Sequence, residues 1–532
     1  MNREKINLIL NCCFIFLFFL LFSLNFYTSQ HLVFSDDAVG ALFFAENITK
    51  KGTLFYNDPL NSQFGQIFGL RGFIILPNNQ TASSYMLGNI ILTSFFLSIS
   101  KISLYFFNFI FSSLALFFFY KTINLFLEDN IKSKIITMFL TFFAPFLFYA
   151  SVFTNVLPAT AFFIMGSYFS LKFVQKAKER YLYLFLIFNI FSIWVRYEYI
   201  LLSLPFFCHT LYSIRNKNIN FKYSYVLWSL LIVVLLIFPF IYYNLVAFGS
   251  ISGFIHPSGT ILGNFELSTA IKEGGVSFFR NWDNLFVNIK TQIISNFIFI
   301  PITFVLYLVS LILIIKRGEY ALLAFFFIPV IQIFYYFGNN WGGYNTTGTV
   351  GGSALFRYLL PSWMIMFFLA SYSLITVFGG KHNIINRKII TILIAIFIVF
   401  NLNFVFFSHW GLRDYRERIQ KMLGFRKEIL KNTPENSILF FKFLDKEVFP
   451  LRETAIYQSF PPQTRINQTT GVIRNLINNG YDVYFIDEDK ITKGGDSFEG
   501  YKENFEKEGL DVLPAFSSNV YQVDFYKVAQ KK

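Results

Sequence analysis

Charge, cysteine and histidine are all scarce in this 532-residue chain, and each scarcity removes a class of protein. Only 14% of residues are charged against 55% hydrophobic, which excludes an ordinary soluble enzyme and leaves a polytopic membrane protein. The three cysteines, Cys12, Cys13 and Cys208, all fall in apolar segments. They make no disulfide framework for an exposed domain and are expected to be inert packing residues. The five histidines, His31, His209, His256, His382 and His409, are scattered with no acidic or Cys cluster beside them. That argues against a protein-built metal site.

What the chain has in excess is Phe, with 75 copies, but codon bias accounts for this as well as selection does, and no function is drawn from it. The net charge of +14 has meaning only through its distribution. Apolar runs long enough to span a bilayer, or nearly so, fall near residues 7–30, 103–120, 135–153, 156–171, 181–195, 198–213, 223–246, 293–315, 320–337, 355–378 and 389–408. A shorter stretch, Met86 to Ile99, contains Gly88, Asn89, Thr93 and Ser94, as interfacial or re-entrant segments do.

Basic residues settle whether that stretch crosses. Lys and Arg collect in short cytoplasmic loops, and here they collect at Arg3 and Lys5, then Lys121, Lys132 and Lys134, then Lys172, Lys176, Lys178 and Arg180. Further clusters are Arg215, Lys217 and Lys222, then Lys316 and Arg317, then Lys381, Arg387 and Lys388. If 86–99 does not cross, all of these lie on one side; if it crosses, most flip outward. The non-crossing topology is preferred, with a cytoplasmic N-terminus, and the positive charge becomes a topology signal.

That topology gathers the unusual polar residues on the outer face. Asp36 and Asp37 stand six residues beyond the first apolar run. Since an ionised Asp inside a bilayer costs about 2.5 to 3.5 kcal/mol, they belong in water at the membrane surface, where close carboxylates perturb each other's pKa. The following segment, with Ala41, Leu42, Phe44, Ala45 and Ile48, predicts a surface-lying helix ended by Gly52. Either Asp could cap that helix or act as a general base, and the two roles are compatible.

Arg196 and Glu198 sit in a tight link between two apolar runs, two residues apart. On one helix they would not face each other, so each needs another partner or the helix must break. Ionisable residues at this depth mark either a functional cavity or a structural ion pair. Arg357, beside Tyr358 at the start of a late span, could hold a phosphate by charge-assisted hydrogen bonds or snorkel to the interface.

After Phe407 charges become frequent and no further segment could span a membrane. A helical stretch from Arg413 to Lys431 is followed by strands at Ser437 to Leu444, Asp482 to Ile486 and Val520 to Val528, with helices near Gly471 to Asn479 and Ser497 to Glu508. This predicts a small α/β unit without a phosphate loop, Gly-rich fingerprint or nucleophile elbow. The whole is expected to be an α-helical polytopic membrane protein of about eleven transmembrane helices. Residues 1–408 form its membrane domain, with 31–101 as the first outer loop, and 409–532 form an extracytoplasmic α/β domain. Asn47, Asn79, Asn345 and Asn467 begin glycosylation sequons, which arise easily by chance in an Asn-rich chain.

Taken in order, the acidic pair Asp36-Asp37, the Arg196-Tyr197-Glu198 turn, the span end from Asn244 to Phe248-Gly249, and Arg357-Tyr358-Leu359-Leu360-Pro361 form a series. With the α/β tail, it resembles the GT-C superfamily of integral-membrane glycosyltransferases over nearly the whole chain. The likeness is to the branch of protein O-mannosyltransferases and the lipid A aminoarabinose transferase. It implies an inverting transfer of a sugar from a polyprenyl-phosphate carrier to a glycan, lipid or protein acceptor. The reaction would take place on the extracytoplasmic face of the cell membrane, or of the endoplasmic reticulum in a eukaryote.

On this resemblance Asp36 would deprotonate the acceptor and Asp37 would orient or tune it. Arg357, Tyr358, Arg196 and Arg71 would hold the donor phosphate, with Glu198, Asn155 and Asn244 in support. No cofactor is required; a divalent metal is possible but not indicated. Many relatives carry an acidic residue in the second outer loop where this chain offers only Asn155, which cannot act as a base. A lipid flippase or transporter is the rival from another class, and it predicts repeats with helices broken at the midplane, which are not found. A ligase or polymerase moving diphosphate-linked glycans is the rival within the enzyme class, and it would call for more basic outer loops.

Overall fold

The computed structural model describes residues 3–28, 36–64, 68, 73–76, 80–83, 86–216, 223–248, 300–337, 351–378, 384–408, 411–442, 444–457, 464–490 and 497–531. In chain order the first helices are α1 (Arg3–Thr28), α2 (Asp36–Lys51), α3 (Pro59–Phe64), α4 (Leu87–Ile99), α5 (Leu104–Leu127), α6 (Asn130–Thr141) and α7 (Ala144–Ser151). They continue as α8 (Val156–Lys176), α9 (Glu179–Val195), α10 (Tyr199–Asn216), α11 (Tyr223–Phe248), α12 (Pro301–Arg317), α13 (Ala321–Phe337), α14 (Gly351–Phe378) and α15 (Ile384–Phe407). The chain divides into two compact units. One comprises residues 1–29, 102–243 and 266–415; the other comprises 30–101, 244–265 and 416–532.

The first unit is the helical membrane part. In hydrocarbon every backbone polar group must be satisfied within the segment, so its apolar runs fold as helices. Among the described residues six helical stretches are long and apolar enough to cross a membrane, within α1, α5, α8, α11, α14 and the stretch beginning at Ala395. Counting α6 and α7 as one bent span makes seven. The run 135–153, expected as one span, is broken by a 66° bend. The physical reason is Pro145 in the first turn of α7, which cannot continue a ladder from α6. The buried Ala144 N–H at the start of α7 is instead satisfied by Asn401 Oδ1 at 2.8 Å.

Small and polar residues hold this unit together, as expected where lipid removes the hydrophobic drive between helices. Gly166 of α8 faces Asn189 of α9 so closely that a Cβ there would fall 2.2 Å from Asn189 Nδ2. Asn189 Oδ1 accepts from Ser203 Oγ of α10 at 2.6 Å. Ser170 and Thr210 share a hydrogen bond of 2.8 Å. On α1, Leu10, Leu17, Leu21 and Leu24 are buried while Phe16, Phe19 and Phe26 point outward. Its C-terminal end is tied to α7 by Asn25 Nδ2 donating to Ala150 O at 2.5 Å, and by Thr28 Oγ1 donating to Ser151 O. The cysteines are free, but Cys12 and Cys208 are exposed on helix surfaces rather than packed inside.

The second unit joins the first long loop to the C-terminal segment. Its small antiparallel sheet runs β1 (Tyr56–Asn57), β3 (Gln80–Ser83), β2 (Phe73–Ile75). The larger sheet has β4 (Ser437–Phe441), β5 (Glu453–Ile456), β6 (Asp482–Asp487), β7 (Leu510–Ser518) and β8 (Val523–Gln530), in the order β5-β4-β6-β8-β7. Both β5 and β6 pair with β4 in parallel, while β8 pairs antiparallel with β6 and β7. Helices α16 (Leu412–Asn432), α17 (Asp445–Val448), α18 (Arg465–Asn478) and α19 (Phe498–Lys507) complete it.

Strands β4, β6 and β8 fall where the pattern placed them, and β5 and β7 are additions. Phe68, from the loop segment, is fully buried in the core with Ile438, Phe440, Val483 and Phe485, and makes a bridge to Ala455. Phe43 and Phe73 pack their rings 4.8 and 5.4 Å from Phe449. Helix α4, which covers the doubtful 86–99 stretch, has 13 residues. At 1.5 Å per residue it reaches about 20 Å, short of a bilayer core of about 30 Å.

Candidate functional site

Asp36 and Asp37 are the first two residues of α2. A helix N-terminus presents unpaired N–H groups and a positive dipole end, so carboxylates are stabilised there in the charged form a base needs. Their side chains lie outside the described residues. The helix beneath them is firmly seated, with Ala41, Phe44 and Ala45 fully buried. It stops where expected, since Gly52 takes φ +68° and its N–H donates to Ile48 O at 2.8 Å. Asn47, the first sequon position, is 6% exposed and donates to Thr53 O and Phe55 O. It locks the turn after α2.

The structure brings three of the expected residues together. α9 ends at Val195, Arg196 is extended (φ −155°, ψ 114°), and α10 begins at Tyr199. That break lets Arg196 and Glu198 pair with each other. Arg196 Nε donates to Glu198 Oε1 at 2.5 Å, one terminal nitrogen joins the same carboxylate, and the other donates to Asn155 Oδ1 at 3.3 Å. The two charged residues are 6% and 5% exposed. Asn155 sits at the start of α8 but its side chain makes no cap bond; its oxygen serves the guanidinium instead. Just beyond, Tyr199 shares a 2.7 Å hydrogen bond with Thr160 of α8, fixing the turn from both sides.

Arg357 and Tyr358 lie in the first two turns of α14, with side chains outside the described residues, and Arg71 lies outside them altogether. Asn244 is buried near the end of α11. Among the described residues no group of three or more His, Cys, Asp or Glu side chains could hold a metal ion.

Sequence reasoning did not single out the electrostatic centre of the second unit. Burial, with the nearby Asp58 charge, pushes the Glu453 carboxyl up to about 7. Burial also raises Asp58, against backbone hydrogen bonds that lower it. Burial with the charges of Glu453 and Asp58 pushes Tyr56 up to about 12. Glu453 and Asp58 come from opposite ends of the chain, so no local pattern pairs them. At the carboxyl ends of β4 and β6, Lys442 is buried against Asp489 at 3.4 Å, and Glu488 accepts the N–H groups of Lys442 and Leu444.

Multiple apolar spans joined to a C-terminal mixed sheet define an integral membrane protein with a large non-membrane unit. No family model and no curated protein matches the chain. The fold, however, is similar to that of ArnT from Cupriavidus metallidurans. The apo form of that protein superposes with a TM-score of 0.54 at 11% identity, covering 98% of this chain and 97% of ArnT. The form bound to undecaprenyl phosphate also gives 0.54, at 10% identity, covering 99% of this chain and 98% of ArnT.

Proposed function

We propose that this chain is an inverting GT-C-type glycosyltransferase that moves a sugar from a polyprenyl-phosphate carrier to a glycan, lipid or protein acceptor. The observation that carries the reading is the fold likeness over nearly the full length of both chains to a protein solved with undecaprenyl phosphate bound. An acidic pair at the head of a helix just after the first span supports it chemically. In the reaction, an Asp36 oxygen takes the proton from the acceptor hydroxyl. The acceptor oxygen then attacks the anomeric carbon opposite the phosphate, the carbon–oxygen bond to phosphate breaks, and polyprenyl phosphate leaves.

Asp37 tunes the base. Arg357, with Tyr358, stabilises charge on the departing phosphate, with Arg71 and Arg196 as further cations; Glu198, Asn155 and Asn244 support them. Arg196 is already engaged by Glu198 and Asn155, so its share is positioning before charge. No metal enters this scheme. The remaining topology belongs to the same proposal: about eleven spans, with the helices of 17 and 18 residues α9, α10, α12 and α13 counted among them. The N-terminus is cytoplasmic, the membrane domain is 1–408, and the segment 409–532 is extracytoplasmic.

The test is release of polyprenyl phosphate by the purified protein from a panel of monophosphate-linked sugars. Turnover should fall by about 10² to 10⁴ in Asp36→Asn, the worth of a positioned base, with expression and lipid binding intact. Turnover only of diphosphate-linked glycans would replace the donor assignment, and wild-type rates in Asp36→Asn would remove Asp36 from the mechanism.

A further inference from the structure

Three polar side chains at one end of the membrane unit carry hydrogen-bonding atoms with no partner among the described residues, and the reading above gives none of them a role. Asn108, in α5, is 1% exposed, and neither its Nδ2 nor its Oδ1 is bonded. Among the described residues it is the only buried side chain with both atoms of an amide left so. Thr154 Oγ1, in the non-helical link 152–155 between α7 and α8, and Trp194 Nε1, near the end of α9, are also buried and unpaired.

The segments that carry these atoms are joined by side-chain contacts. The ring of Phe107 lies 4.8 Å from that of Phe153, so Asn108 and Thr154 each follow one member of a contacting pair. Thr154 adjoins Asn155, which accepts from Arg196, two residues after Trp194. A run of ring contacts from Phe111 through Phe162 and Phe191 to Trp194, at 5.4, 5.6 and 6.2 Å, closes the circuit.

A buried amide in a helix has an easy remedy, which is to donate to the carbonyl four residues back. Asn25 does so to Leu21 O at 2.9 Å and Asn189 to Phe185 O at 2.7 Å. Asn108 does not. An amide held away from that bond, in a lipid-embedded bundle where an unmade hydrogen bond is costly, is held for something else. The chemistry of the set narrows what that is. An amide, a hydroxyl and an indole N–H are neutral, and the first two both donate and accept, which matches a polyol. Phosphate oxygens only accept, and call for cations.

We propose that Asn108, with Thr154 and Trp194, hydrogen-bonds the hydroxyl groups of the transferred sugar, an inference that rests on the donor reading above. In the ligand-free chain these atoms are sealed, and the sugar reaches them by displacing the link 152–155.

The experiment compares full-length wild type, Asn108→Leu and Thr154→Val in detergent, reading melting temperature and binding of two probes, polyprenyl phosphate and polyprenyl-phosphate hexose or pentose. Asn108→Leu removes an unsatisfied amide and should melt higher than wild type. Both variants should bind the sugar-free lipid within about twofold of wild type and lose about tenfold on the sugar-bearing one, the worth of one hydrogen bond. Retention of the wild-type preference for the sugar-bearing lipid in both variants overturns the inference. So does a wild type that binds polyprenyl phosphate but gains nothing from the sugar. A wild type that binds neither lipid sinks the donor reading itself. If Asn108→Leu does not fold, Thr154→Val decides by the same comparison.

Discussion

A guanidinium stays charged at any pH a protein meets, so Arg196, at 6% exposure, depends on what surrounds it. Its partners Glu198 and Asn155 are reached only because the chain leaves the helix between Val195 and Tyr199. Removing one member of such a pair strands the other. Glu198→Ala should destabilise the solubilised protein by about 3 to 5 kcal/mol, whereas the double change Arg196→Met with Glu198→Leu should recover most of that. Thermal melting of the two variants checks this, and equal losses would mean the pair is not coupled. The sequence showed that these two residues needed either separate partners or a break, because spacing on a helix is fixed. It could not show Asn155 as the third member, since a residue 41 positions away enters by packing alone. The surroundings of Asn108 were illegible for the same reason: an amide with no bond looks like any other Asn in a string of letters.

At the scale of elements, the closest approach at any described glycine is Gly166 against Asn189. A methyl at Gly166 must push Asn189 aside and break its bond to Ser203. Gly166→Ala should therefore cost about 1 to 3 kcal/mol, the usual penalty for overpacking a filled core. Adding Asn189→Ala should restore part of it, and melting temperatures of the single and double variants measure both. What pattern could read at this scale was helix extent and stop signals, such as α2 ending at Gly52. What it could not read were short or interrupted strands. β5 has four residues, and β7 has a register shift between Pro514 and Phe516, so neither shows the compact apolar run that marked β6. The 66° break between α6 and α7 hid inside an unbroken apolar run, because hydropathy is blind to direction.

At the scale of the molecule, the second unit contains an ionisable centre with a consequence for pH. Burial, with the Asp58 charge beside it, holds the Glu453 carboxyl at about 7 in the folded chain, above its ordinary 4.5. Between those values the folded state holds a proton that the unfolded state has released, so stability falls as pH rises from about 4.5 to about 7, then levels. Glu453→Gln should flatten that fall. Melting of the second unit's sheet, followed between pH 5 and 8 in both proteins, is the measurement, and an unchanged slope would assign the dependence elsewhere. The class of the molecule was legible from composition alone, because a bilayer demands apolar length. The sharing of one core by residues 30–101 and the C-terminal segment was not, since nothing near Phe68 names Ala455 as its neighbour.

That shared core also sets a timetable. Phe68 leaves the ribosome hundreds of residues, on the order of tens of seconds, before β4, β5 and β6, which bury it. Throughout that interval the first loop is incomplete, with Phe43, Phe68 and Phe73 lacking the aromatic wall that later covers them. A premature stop before Ser437 should therefore yield a membrane-inserted product whose first loop is cut by added protease while the full-length loop resists.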